Sequence, residues 1–153
     1  MTKDRFHFSA ICASLKYMEQ SDITIIAKSV AKVLRNHEEV LFGYVFGSAA
    51  TGKRRKGSDV DIAVYLAPER RSEFFDIRLK LLEQLTRTLS KEADVVVLNT
   101  ASPFLRYVAL REGVLAFERS PETRIDFELK ALNEYFDYQP VLKQYRARLA
   151  TPL

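Results

Sequence analysis

A chain of 153 residues with a net charge of +4, from 24 basic against 20 acidic residues, is long enough for one ordinary domain and too short for two of typical size. With 47% apolar and 29% charged residues it has a soluble, globular composition. Its one cysteine, Cys12, excludes an internal disulfide framework, and Cys12 with His7 and His37 falls short of the Cys/His set that most structural zinc sites use. No run nears the roughly 18 apolar residues of a membrane span, and the short apolar stretch Phe8 to Leu15 carries Ser9 and Ser14 and is followed by Lys16. A cytoplasmic protein without a signal peptide is expected.

In chain order, Phe8, Ile11, Cys12, Leu15 and Met18 follow helical spacing, so residues 1–21 are expected to form an amphipathic helix or an arm. Ser21 or Asp22 can cap a second helix, in which Ile26, Val30, Val33 and Leu34 share a face. Val40 to Phe46 is a buried-strand run that stops at Gly47. A loop follows to Gly57, with room for one short turn. Asp59 to Leu66 is a second strand, ended before Pro68. Phe75, Leu79, Leu82, Leu85 and Leu89 set the apolar stripe of a long helix. Ala93 to Leu98 is a third strand. Ser102 and Pro103 start a helix that Gly113 can close in a left-handed conformation. Val114 to Phe117 is a fourth strand. Ser120 and Pro121 start a last helix, with Ile125, Leu129, Leu132 and Phe136 on one face and a kink or restart at Pro140. Two consecutive strands do not fit a purely alternating parallel sheet. The expectation is an α+β domain, a mixed sheet with flanking helices.

Chemistry concentrates between the first two strands. Gly43, Gly47, Gly52 and Gly57 fall close together, as in a backbone that turns tightly or approaches a ligand. Asp59 and Asp61 leave the same strand face, their Cα atoms about 6.5 Å apart, while Val60, Ile62 and Val64 turn to the core. Two like charges so close resist joint ionisation unless a cation intervenes, and Mg²⁺ suits their oxygen donors. Asp94, opening an otherwise apolar strand, adds a third carboxylate. Its alternative use is a salt bridge to Lys91 or another basic residue. Three such carboxylates can hold two metal ions for phosphoryl or nucleotidyl transfer. Lys53, Arg54, Arg55 and Lys56 form a basic run without which the charges balance at 20 against 20, so anionic chemistry is local. Gly47 to Lys53 also matches most of a Walker A loop, but Arg54 replaces the Mg²⁺-binding Ser or Thr and a strand follows in place of a helix.

Gly47-Ser48 followed by Asp59-x-Asp61 and by Asp94 on a later strand resembles the polymerase-beta-like nucleotidyltransferase superfamily, and the short chain resembles its minimal nucleotidyltransferases (MNT). The segment Phe127 to Tyr145, with Glu134-Tyr135-Phe136-Asp137 ahead of Pro140, is similar to the MntA-type antitoxins of HEPN/MNT toxin–antitoxin pairs. The resemblance implies a polymerase-beta-like fold, with residues 22–118 as the nucleotidyltransferase core and 119–153 as a helical extension. It implies ATP as donor, Mg²⁺ as cofactor, and transfer of AMP to a tyrosine of a HEPN ribonuclease toxin held in a hetero-oligomer, with no membrane or direct nucleic-acid binding. Asp59, Asp61 and Asp94 would ligate metal, and Asp94 would also deprotonate or orient the acceptor hydroxyl. Gly47 and Ser48 would meet the nucleotide phosphates; the basic run fits the triphosphate too, with Lys53 and Arg54 as its candidates and an acidic toxin surface as the alternative. Tyr135, Phe136, Tyr138 and Tyr145 offer a partner-binding patch. The rival functions are a non-catalytic toxin-binding antitoxin and an aminoglycoside-type nucleotidyltransferase.

Overall fold

The computed structural model describes residues 22–51 and 58–149, the side chains of 51 and 145–149 aside. Residues 1–21 and the basic run 53–56 lie outside the described residues. Helix α1 spans 22–34 and buries Ile26, Val30, Val33 and Leu34, the face set by their spacing. Strand β1 (Val40–Phe46) ends at the single turn α2 (Ser48–Thr51), and β2 runs Val60–Leu66. A 3₁₀ helix (Pro68–Glu73) leads into α3 (Phe74–Leu89), then β3 (Ala93–Val97), α4 (Pro103–Glu112), β4 (Val114–Glu118) and α5 (Pro121–Leu149).

The sheet is four-stranded, in the order β3-β2-β1-β4. It is mixed, as two successive strands require: β1 runs antiparallel to β2 and β4, whereas β2 and β3, joined through α3, are parallel. Both faces are covered. On one, α1 and α3 pack Val30, Leu34, Leu81 and Leu85 against Val60, Ile62, Val64 and Val95. On the other, Phe42, Tyr44, Ala63 and Leu98 meet Ala109 of α4 and Phe127 of α5. Phe42 stacks on Tyr65 at 4.9 Å between centroids and meets Phe127 at 5.5 Å. Asn99 ties the far ends of β2 and β3 together, donating to the Leu66 carbonyl at 2.8 Å and accepting from its N–H at 2.9 Å.

The N-terminal signals of α4 and α5 behave as the sequence requires. The Ser102 hydroxyl accepts from Leu105 N–H and that of Ser120 from Thr123 N–H, each at 3.2 Å. Four expectations are corrected. Helix α3 buries Phe74, Ile77, Leu81 and Leu85 and leaves Phe75 and Leu79 exposed, so its docked stripe lies about 100° from the one read from spacing, one residue round the helix. Gly113 is extended, at φ −78°, where a left-handed cap was expected. Glycine is needed there for space, because a Cβ would strike the Ala109 carbonyl and press on Tyr44. Helix α5 does not restart at Pro140 but runs on through it. Its stripe Ile125, Leu129 and Phe136 faces solvent, and the inner face is Phe127 and Ala131.

Candidate active site

Three strand ends converge. β1 delivers the chain to Gly47, β2 places Asp61 opposite Phe46, and β3 places Asp94 in register with Asp61. Alternation sorts the faces. Val60, Ile62, Val64, Val95 and Val97 enter the α1/α3 core, so Asp61 and Asp94 emerge together on the opposite face, one strand spacing of about 4.8 Å apart. Asp59 precedes β2 and is exposed, and Asp61 is half-buried.

Gly47 is the tightest constraint. Its φ of +69° is left-handed, the region that L side chains rarely adopt. Its Cα also lies against the Asp61 carboxylate: a Cβ built there would overlap the carboxylate oxygen and stand 3.1 Å from Asp61 Cγ. The bend after β1 and the first carboxylate of β2 are thus a fitted pair. Ser48 opens α2, and Ala50 N–H donates to the Gly47 carbonyl at 3.2 Å.

The charges interact as well as the shapes. Burial first, and then the negative charges of Asp94 and Asp59, push the Asp61 carboxyl above its ordinary range. That concentration of negative charge on an all-oxygen donor set suits a hard divalent cation. The carboxylates do not close around one point: among the described residues no three His, Cys, Asp or Glu side chains are gathered to hold an ion. Asp94, 53% exposed, instead accepts from Arg78 Nη2 at 3.2 Å. Arg78 Nε donates to the Val95 carbonyl at 2.6 Å, which fixes the guanidinium to the outer edge of β3. The salt bridge anticipated for Asp94 therefore exists, with Arg78 of α3 as its partner. No sequence signal marks Arg78, because the pairing depends on how α3 lies over β3. Lys53 and Arg54 lie outside the described residues. No helix among the described residues is long and apolar enough to cross a membrane.

A family model described as polymerase beta, nucleotidyltransferase matches residues 28–122. A protein of Methanocaldococcus jannaschii to which protein adenylyltransferase activity is ascribed is 33% identical over 93 residues, 61% of this chain and 96% of its own. Among solved structures, a chain of a toxin–antitoxin complex with AMP-PNP superposes with a TM-score of 0.69 at 23% identity, covering 82% of this chain and 98% of that one. A chain of the complex between a tri-AMPylated Shewanella oneidensis HEPN toxin and an MNT antitoxin gives a TM-score of 0.65 at 22% identity, covering 84% and 99%. At such identity the superpositions speak for a common fold. The family match takes in β1, Gly47, Asp59, Asp61 and Asp94, and by it this chain belongs to the polymerase beta nucleotidyltransferase family.

Proposed function

We propose that this chain is an antitoxin that silences a HEPN ribonuclease toxin by moving AMP from ATP to a tyrosine hydroxyl of that toxin. The observation that carries the reading is the registered pair Asp61–Asp94 beside the left-handed Gly47, in a chain of nucleotidyltransferase ancestry. The names of its structural neighbours supply the substrate class: one complex contains AMP-PNP, another a tri-AMPylated HEPN toxin. In the reaction the tyrosine oxygen forms a bond to the α-phosphorus, the bond from that phosphorus to the bridging oxygen breaks, and pyrophosphate leaves with the electron pair. Asp94 receives or orients the hydroxyl proton. Asp59, Asp61 and Asp94 would hold Mg²⁺, which when bound supplies positive charge to the phosphate oxygens. Gly47 lets the phosphates approach backbone N–H groups, Ser48 donates to a phosphate oxygen, and Lys53 and Arg54 balance the triphosphate. Residues 22–118 form the catalytic core and 119–153 its helical extension.

Mass spectrometry of a cognate HEPN toxin, after incubation with the chain and Mg-ATP, should show added AMP. EDTA or the double substitution Asp59→Asn, Asp61→Asn should abolish it. An unmodified toxin refutes the proposal. The Arg78–Asp94 pair favours one second reading, an antitoxin that neutralises by binding alone. Rescue of toxin-expressing cells by the double Asp variant would select it.

A further inference from the structure

Helix α5 has two apolar faces, and among the described residues only one is packed against the rest of the fold. The inner face carries Phe127 on Phe42 and Tyr65, Ala131 at 1% exposure, and Tyr135 stacked on Tyr107 at 3.9 Å. Two ion pairs hold that face down: Arg106 of α4 to Glu134 at 2.7 Å, and Arg124 to Glu118 of β4 at 2.7 Å. The outer face carries Ile125, Leu129, Leu132 and Phe136, at i, i+4, i+7 and i+11. Ile125, Leu129 and Phe136 are 46%, 57% and 56% exposed. This is a straight ridge about 16 Å long, three helical turns, the length over which one amphipathic helix packs on another. Beyond Phe136 it continues into exposed Phe104, through the ring contacts of Phe136 and Tyr135.

Charge narrows what can cover it. Glu122, Asp126 and Asp137 line one edge of the ridge, and Asp126 and Asp137 make no ion pair among the described residues. Lys130, one turn on from Asp126, lines with it the groove that Arg106 and Asn99 also line. On the opposite edge Glu128 is committed to Arg124 and to the Tyr44 hydroxyl. A second copy is a poor match. In an antiparallel pairing the acidic edges meet each other, and in a parallel one the acidic edge meets Glu128 and Tyr135. Like charges opposed across an interface select against that partner.

We propose that the outer face of α5 is the docking surface for an amphipathic helix of the HEPN partner, with apolar residues along its centre and Lys or Arg along one edge. This deepens the function proposed above and rests on it. Docking and transfer use different ends of the β1–β2 ladder. α5 packs over Phe42 and Tyr65, a register pair at one end of β1–β2, whereas Asp61 faces Phe46 at the other.

The test is calorimetric titration of the full chain with a cognate HEPN protein. Leu129→Gln with Phe136→Gln should weaken binding at least tenfold, with unchanged circular dichroism and melting temperature. Asp126→Lys with Asp137→Lys should weaken it and flatten its salt dependence. Asp59→Asn with Asp61→Asn should bind like the native chain. Undiminished affinity of the Leu129/Phe136 variant overturns the proposal. So does sedimentation showing a dimer of the native chain that the same variant dissolves, or hydrogen exchange showing residues 125–136 already protected in the free monomer. The two readings fail separately: ridge-dependent binding without AMP on the toxin sinks only the enzymatic one, and AMP transfer with ridge-independent binding sinks only the docking one. A HEPN protein that does not bind at all sinks both.

Discussion

Substituting Gly47→Ala tests the fit between the β1 bend and the first β2 carboxylate. At φ +69°, an L side chain costs about 1–2 kcal/mol through its own backbone alone. The new Cβ also stands 3.1 Å from Asp61 Cγ and overlaps the carboxylate oxygen, so that carboxylate must move. In an Asp61→Ala background the Cγ and carboxylate are gone. The remaining Asp61 Cβ position is 3.4 Å from the new methyl, an ordinary contact. Gly47→Ala should therefore cost about 1–2 kcal/mol in the Asp61→Ala chain and more in the native chain, with a coupling of roughly 0.5–3 kcal/mol between the two sites. For a chain of this size each kcal/mol lowers the melting temperature by about 2–4 °C. Urea unfolding of all four proteins, followed by circular dichroism in EDTA at neutral pH, gives both numbers. Equal cost in the two backgrounds would show that Asp61 does not rest on Gly47. A cost below about 0.5 kcal/mol in both would show that the bend is not left-handed.

The crowding of Asp61 by burial and by Asp94 and Asp59 favours its protonated form in the folded chain. The stability this brings is present below the ordinary carboxylate range and is lost as pH rises through the raised folded value. In EDTA, Asp61→Asn should thus melt higher than the native chain at neutral pH, with the gap closing on acidification; melting curves that stay parallel from pH 3 to pH 8 would contradict this. Leu85 is fully buried while Leu79 is 43% exposed, so Leu85→Ala should cost about 2–5 kcal/mol and Leu79→Ala within about 0.5 kcal/mol, both read by urea unfolding. Burial and the Glu128 carboxylate that accepts its hydroxyl push the Tyr44 phenol far above its ordinary value. Alkaline ultraviolet titration should accordingly count the same number of ionising tyrosines in the Tyr44→Phe variant as in the native chain until the fold is lost.

Much of the architecture was legible because local rules and the fold agree. β1 ends where its apolar run ends, and Ser102 and Ser120 cap the helices that they precede. The failures lie where local patterns are degenerate. Helix α3 carries apolar residues at 74, 75, 77, 79, 81, 82, 85 and 89, enough for two overlapping stripes, and the sheet selects one. In α5 the more regular stripe is the one left outside, because aromatic stacking through Phe127 and Tyr135 orients the helix. In the site, Asp59 and Asp61 were legible through strand alternation and Asp94 through its place at the head of an apolar run. The register that sets Asp94 beside Asp61, and the Arg78 contact that holds it, are tertiary facts that no window of sequence contains.

Topology explains why these residues can share a site at all. Had β1 joined the sheet parallel to β2, its carboxyl end would lie beside Leu66, and Gly47 would stand roughly 16 Å from Asp61, five residues at about 3.3 Å each. The antiparallel step reverses this and sets Phe46 opposite Asp61, so that the bend at Gly47 reaches the carboxylate. β2 and β3 must then be parallel for the second residue of each to fall at the same end, which the α3 crossover secures. One antiparallel and one parallel neighbour of β2 are both required. The break in strand alternation that signals a mixed sheet in the sequence is therefore the same feature that brings the bend at Gly47 to Asp61 and sets Asp94 beside it.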